Sequence, residues 1–174
     1  AACMVLVVMS AVRVAAMLDM NLTLLSAPDA VCLDGSPGGF YYAPARSPTL
    51  NSWVIELQGG GWCYSPAMCM QRARTWGGSG AWAPNCLNAG PDAPCKQFGP
   101  LAADPAANPD FATFHRVHIQ YCDGGSFAGD RELDTPDGRL HFRGRRILQA
   151  ALSELQSSFG LGAAEGTQVL LTGC

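Results

Sequence analysis

The sequence has 174 residues, 48% of them hydrophobic and only 14% charged, and carries a net charge of -3. This balance excludes a disordered chain, and with cationic clustering confined to Arg143, Arg145 and Arg146 it excludes nucleic acid as a partner. The eight cysteines form no C-x-x-C pair and have no histidine at zinc-finger spacing, so disulfides in an oxidising compartment explain them better than a metal does.

In chain order, residues 1–12 are almost entirely apolar and lead to small residues at Val14 and Ala16. This is the pattern of a secretory h-region with cleavage after Ala16, so 1–16 is read as a signal-peptide remnant and the mature protein as secreted. The run is shorter than the roughly 20 apolar residues that span a bilayer, so no membrane span is expected. Because the sequence opens on Ala1 rather than methionine, this N-terminus is read as trimmed or partial. Residues 17–174 are expected to belong to one domain. Asn21-Leu22-Thr23 is an N-glycosylation sequon that places Asn21 at the surface of a secreted protein.

Asn21 to Leu25 alternates polar and apolar residues and predicts a first strand. A turn-rich stretch from Cys32 to Gly39 precedes a second strand that begins at Phe40-Tyr41-Tyr42. Trp53 to Leu57 is rich in strand formers and reads as a buried strand running into Gln58-Gly59-Gly60-Gly61-Trp62-Cys63. Three glycines there remove side-chain bulk where backbone N–H groups can turn toward an anionic oxygen. Pro66 to Arg74 predicts a helix with proline in its first turn. Six prolines between 81 and 110 predict an irregular, surface-wrapping segment, in which Cys86 and Cys95 are placed to bridge locally.

His115 to Tyr121 alternates strictly and predicts a strand ending in a second glycine-rich loop, Cys122 to Asp130, with Asp123 and Asp130 expected to cap it. Apolar residues from Leu140 to Phe159 recur at helical spacing, with Gly160 and Gly162 closing that helix. Gln168 to Leu171 is a last strand leading to Thr172-Gly173-Cys174. Strands alternating with helices imply an α/β class with a mostly parallel sheet, whose ligands bind at the carboxyl ends of the strands. Both glycine loops and Gly173 lie at such ends and should converge.

The motifs Val31-Cys32-Leu33-Asp34-Gly35-Ser36-Pro37, Leu57-Gln58-Gly59-Gly60-Gly61-Trp62-Cys63, Tyr121 to Asp130, and Phe142-Arg143-Gly144 followed by Leu170-Leu171-Thr172-Gly173-Cys174 occur in the order seen in the pectin acetylesterase family. The chain resembles that family, which is related to the Notum carboxylesterases, from about Leu22 to Cys174. Residues 81–97 have no counterpart in the resemblance.

The resemblance implies an α/β-hydrolase-like fold with flanking helices. It also implies a Ser-His-Asp esterase that needs no cofactor or metal and takes acetylated pectin as its substrate, in the cell wall or outside the cell. It places oxyanion-hole donors at the backbone N–H groups of Gly60 and Gly61 and a pocket wall at Trp62. Gly173 and Cys174 fall on the first two positions of the nucleophile elbow G-x-S-x-G.

The serine would follow Cys174, and the acid and histidine come later in the chain order of this fold. The sequence is therefore read as ending at the elbow, with no triad residue and no activity of its own. Gln58 stands where the family has glutamate, which removes a charge before the glycines. Under this order His115, His118 and His141 are structural, Ser65 and Ser126 belong to turns, and Cys174 is not a nucleophile. Cys32, Cys63, Cys69 and Cys122 are candidates for bridges. A monomer is expected. Two other readings of the scaffold are a fatty-acyl protein esterase of the Notum kind and a glycan-binding pseudoenzyme; a third is a structural disulfide-rich domain.

Overall fold

The computed structural model describes residues 20–47, 50–84 and 99–173. Cys86, Cys95, Cys174 and the leader-like residues 1–16 lie outside them. Seven strands and two helices are present among the described residues: β1 (Asn21–Leu24), β2 (Gly39–Ala43), β3 (Ser52–Leu57), α1 (Pro66–Thr75), β4 (His115–Ile119), β5 (Arg131–Thr135), β6 (Gly138–Phe142), α2 (Gly144–Ser158) and β7 (Gln168–Gly173). Five strands form one sheet in the order β1-β2-β4-β3-β7, and β5 and β6 form a separate hairpin.

The α/β-hydrolase-like architecture expected from the sequence is present. Parallel pairing is confined to β4, β3 and β7, whereas β1 and β2 run antiparallel. β3 lies between its two parallel neighbours, with Trp53, Val54 and Ile55 almost wholly buried.

The alternation of side chains along β3 separates two cores. Trp53 and Ile55 face Phe40, Val117 and Ile119 together with Ile147, Ala151 and Leu155 of α2. Those three helix residues are four apart, so they form a single stripe that covers the sheet. Fully burying a residue such as Ile147 or Leu155 contributes about 2 kcal/mol. Val54 faces the opposite side, with Met20, Tyr41, Ala43 and Leu101. Arg116 is buried on β4 and donates to the Leu101 carbonyl at 2.9 Å, so a charged side chain anchors the segment that covers this face.

α1 begins as its sequence suggests. Pro66 occupies the first turn and the Ser65 hydroxyl caps the helix by accepting from Met68 N–H at 3.3 Å. A third cluster, Leu33, Cys69, Met70 and Leu140, packs α1 against the hairpin.

The hairpin corrects the expected helix over 140–159. Leu140, His141 and Phe142 belong to β6, and the helix starts only at Gly144. Pairing decides the matter: Asp134 lies opposite Arg139 and Glu132 opposite His141, each pair joined by side chains at 2.6 and 3.2 Å. Such cross-strand charge pairs favour a hairpin over a helical start. The helix ends as expected, with Gly160 at φ +84 and Leu161 N–H donating to the Leu155 carbonyl at 3.0 Å.

Candidate active site

The exits of the three parallel strands converge, as the topology requires. They enclose a cavity of about 620 Å³ to which β3 and its loop contribute Leu57 to Gly60, the loop after β4 contributes Ser126 and Phe127, and β7 contributes Leu171 to Gly173. Two glycines are needed for this approach. A Cβ on Gly60 would lie 2.7 Å from Tyr121 Cδ1, and a Cβ on Gly173 would lie 2.9 Å from the Leu57 carbonyl oxygen. Any side chain at either position would push one strand exit away from another.

Gly60 thus lines the cavity, and Gly61 follows it at the exposed edge of the loop, where its carbonyl accepts from Arg72 Nη1 and from the Tyr121 hydroxyl. Trp62 is 68% exposed and its indole N–H donates to Ser126 Oγ, which joins the first glycine loop to the second. Gly173 lies on the cavity wall. Gln58 makes a further joint between the loops: its side-chain oxygen accepts from Tyr121 N–H at 2.8 Å. A carboxylate at this position could make the same bond, so this link does not depend on whether position 58 carries a charge. Asn21 opens β1 and is exposed.

Two disulfides brace the site from behind. Cys32–Cys122 ties the turn after β1 to the start of the second glycine loop, where Leu33 N–H also donates to the Cys122 carbonyl at 2.9 Å. Cys63–Cys69 ties the first glycine loop to α1.

Within the second loop, Ser126 (φ 54) and Phe127 (φ 60) both adopt the left-handed conformation. That conformation costs each non-glycine residue on the order of 1–3 kcal/mol and persists only where neighbours impose it. Asp123 supplies much of that constraint. Its fully buried carboxylate accepts from Gly125 N–H at 3.1 Å and Phe127 N–H at 3.2 Å, while the Tyr121 hydroxyl accepts from Ser126 N–H at 3.3 Å. The capping role expected of Asp123 is therefore present. Asp130 instead bonds Arg143 at 2.7 Å and Arg146 at 2.6 Å, and these guanidinium groups hold its carboxyl below the usual range.

Burial pushes the Asp123 carboxyl above its ordinary value, against the opposing pull of the loop N–H groups and the Arg72 charge. A folded-state value above the unfolded one means that this group's contribution to stability is complete below the unfolded value. It is lost as pH rises through the raised folded value. Urea unfolding of the wild type across this window is expected to show that decline, and Asp123→Asn is expected to remove it.

The three histidines serve the framework. His115 stacks on Trp53 at 4.1 Å and bonds the Tyr42 hydroxyl at 2.9 Å, His118 pairs with Glu56 at 3.4 Å, and His141 pairs with Glu132. None of them lines the cavity. Both Tyr121 and Arg72 contact the first glycine loop; Tyr121 opens the motif of the second loop, but nothing in the sequence assigns either residue this contact.

The pectinacetylesterase family model matches residues 13–174. Pectin acetylesterase 11 of Arabidopsis thaliana is 35% identical over 151 residues, covering 85% of this chain and 35% of that protein. The human palmitoleoyl-protein carboxylesterase NOTUM is 28% identical over 157 residues, which is 89% of this chain and 29% of the relative. The solved structure of the Wnt deacylase Notum from Drosophila superimposes with a TM-score of 0.76 at 27% identity, covering 89% of this chain and 43% of that one. The chain spans about a third of the length of the curated relatives it matches.

Proposed function

This chain belongs to the pectinacetylesterase family, and from that premise we propose that the whole protein is a secreted serine esterase that removes acetyl groups from pectin. The convergence of the two glycine loops and Gly173 on one cavity supports this reading most strongly. In the proposed mechanism the backbone N–H groups of Gly60 and Gly61 receive the oxyanion of a tetrahedral intermediate. Rigid donors aimed at developing charge are the largest single contribution to this kind of catalysis. Trp62, which is not among the cavity's lining residues, borders the entrance through its indole bond to Ser126, which is. Gly173 and Cys174 open the elbow, and in a polypeptide that continues beyond Cys174 the next residue is the serine nucleophile. A polypeptide ending at Cys174 holds the oxyanion loop without a nucleophile and hydrolyses no ester.

Secretion agrees with two disulfides, which persist in oxidising compartments, and with an exposed Asn21 open to glycosylation. No helix among the described residues is long and apolar enough to cross a membrane. The acetyl substrate is preferred to a fatty-acyl protein because identity to the plant pectin acetylesterase exceeds that to human NOTUM.

The test is to read the transcript past the Cys174 codon and to assay the whole protein on acetylated pectin beside a long-chain acyl ester. Ser-x-Gly after Cys174 and acetate release are expected. Turnover of the long-chain ester alone refutes the pectin assignment, and any residue other than serine at that position supports the pseudoenzyme.

A further inference from the structure

We propose that Arg72 is the positioning residue of the glycine loop, holding the Gly61 carbonyl so that the loop stays rigid beside the cavity. This deepens the esterase reading and rests on it only for the kinetic part of its test.

Three successive glycines give a loop the greatest backbone freedom a sequence can offer. N–H groups that receive a developing negative charge must nevertheless be fixed before it develops. Something outside the loop has to supply that rigidity. At Gly60 the Tyr121 ring is the wall. At Gly61 there is no wall: a Cβ there would meet only Arg72 Nη1, at 3.9 Å. The hold on Gly61 is on its carbonyl oxygen, which accepts from Arg72 Nη1 and, at 3.4 Å, from the Tyr121 hydroxyl. Because the peptide group is planar, fixing this carbonyl fixes the Gly61–Trp62 peptide unit, and it steadies the preceding Gly61 N–H by restricting rotation about the Gly61 Cα–C bond.

The guanidinium is itself held. Its central carbon lies 4.7 Å from the Trp76 ring centroid and 5.1 Å from that of Tyr121. A planar, weakly hydrated guanidinium can stack on aromatic faces and donate in its own plane at once, which a lysine ammonium cannot. Its stem rises from α1, and α1 is tied to the same loop by Cys63–Cys69. Arg72 does not line the cavity, so it acts through the loop rather than on substrate.

The test uses the whole protein with Arg72→Met, which keeps an apolar stem against the rings and removes the donor, and Arg72→Lys, which restores a donor without the plane. With Arg72→Met, kcat on a short-chain ester is expected to fall about 10- to 100-fold with KM changed by no more than about twofold, the pattern of a contact that matters in the transition state alone. Arg72→Lys is expected to recover part of kcat. Amide hydrogen exchange across Gly59–Cys63 is expected to quicken at least about tenfold in Arg72→Met while β3 and α2 keep their protection. Unchanged exchange in the loop overturns the proposal, as does a wild-type kcat or a loss confined to KM. If the wild type cleaves no ester, the esterase reading fails, and the exchange comparison still decides the role of Arg72.

Discussion

Replacing Cys32 and Cys122 together by alanine is expected to destabilise the protein by about 4.6 kcal/mol, the entropy that a cross-link of this span removes from the unfolded chain. The bridge joins residues 90 apart in sequence. It fastens the turn after β1 to the first residue of the second glycine loop, so the reduced protein loses long-range closure and not only a local staple. Cys63–Cys69 spans 6 residues, and the same logarithmic dependence gives about 2 kcal/mol for its removal. Denaturant unfolding of the two double-alanine variants should therefore rank them in this order. The Leu33 N–H bond to the Cys122 carbonyl survives the substitution and limits how far the loop can drift. A loss below about 1 kcal/mol for the long bridge would show that entropy of the unfolded chain is not what it supplies.

The second large effect is on activity. Gly60→Ala is expected to lower kcat/KM of the whole protein on the order of 10²-fold, comparable to losing one oxyanion donor. The added methyl would sit 2.7 and 2.8 Å from two carbons of the Tyr121 ring. That ring is 7% exposed and packs against Phe127 at 5.6 Å and the Arg72 guanidinium at 5.1 Å. It has little room to yield, so the loop must move instead. Gly61→Ala adds a methyl that meets one atom at 3.9 Å and should cost clearly less. Assaying both on acetylated pectin separates a steric requirement at Gly60 from a general need for loop flexibility. Equal losses at the two positions would contradict the steric account.

Much of this arrangement is legible in the sequence because one central strand is rich in strand formers and the other alternates. Trp53 to Leu57 and His115 to Ile119 form strands within a residue or two of where strand-forming residues and alternation place them. The glycine loops are legible because only glycine allows the approach that Gly60 and Gly173 make. The hairpin is not. Leu140 and Phe142 fall at spacings that also suit the helix following them, and the period-2 pattern of β5 is carried by charges rather than by apolar residues. Thr135-Pro136-Asp137-Gly138 was the readable turn, with acids before it and Arg139 and His141 after it. Arg72 and Tyr121 stay illegible for another reason. Their contacts with Gly61 span 11 and 60 residues, and no local pattern encodes an encounter at that distance.

The position of β3 has a consequence for how the chain reaches this structure. β3 is finished by residue 57, yet its parallel neighbours begin only at His115 and Gln168. During synthesis β3 emerges after β1 and β2 and waits for both of its own partners, the second of which pairs with it 116 residues on. No hairpin can bring them in early, since parallel neighbours need long crossovers. Folding that depends on such distant pairings is slow, because loop closure precedes the contacts that reward it. The same order delays the cavity, since β7 supplies one of its walls.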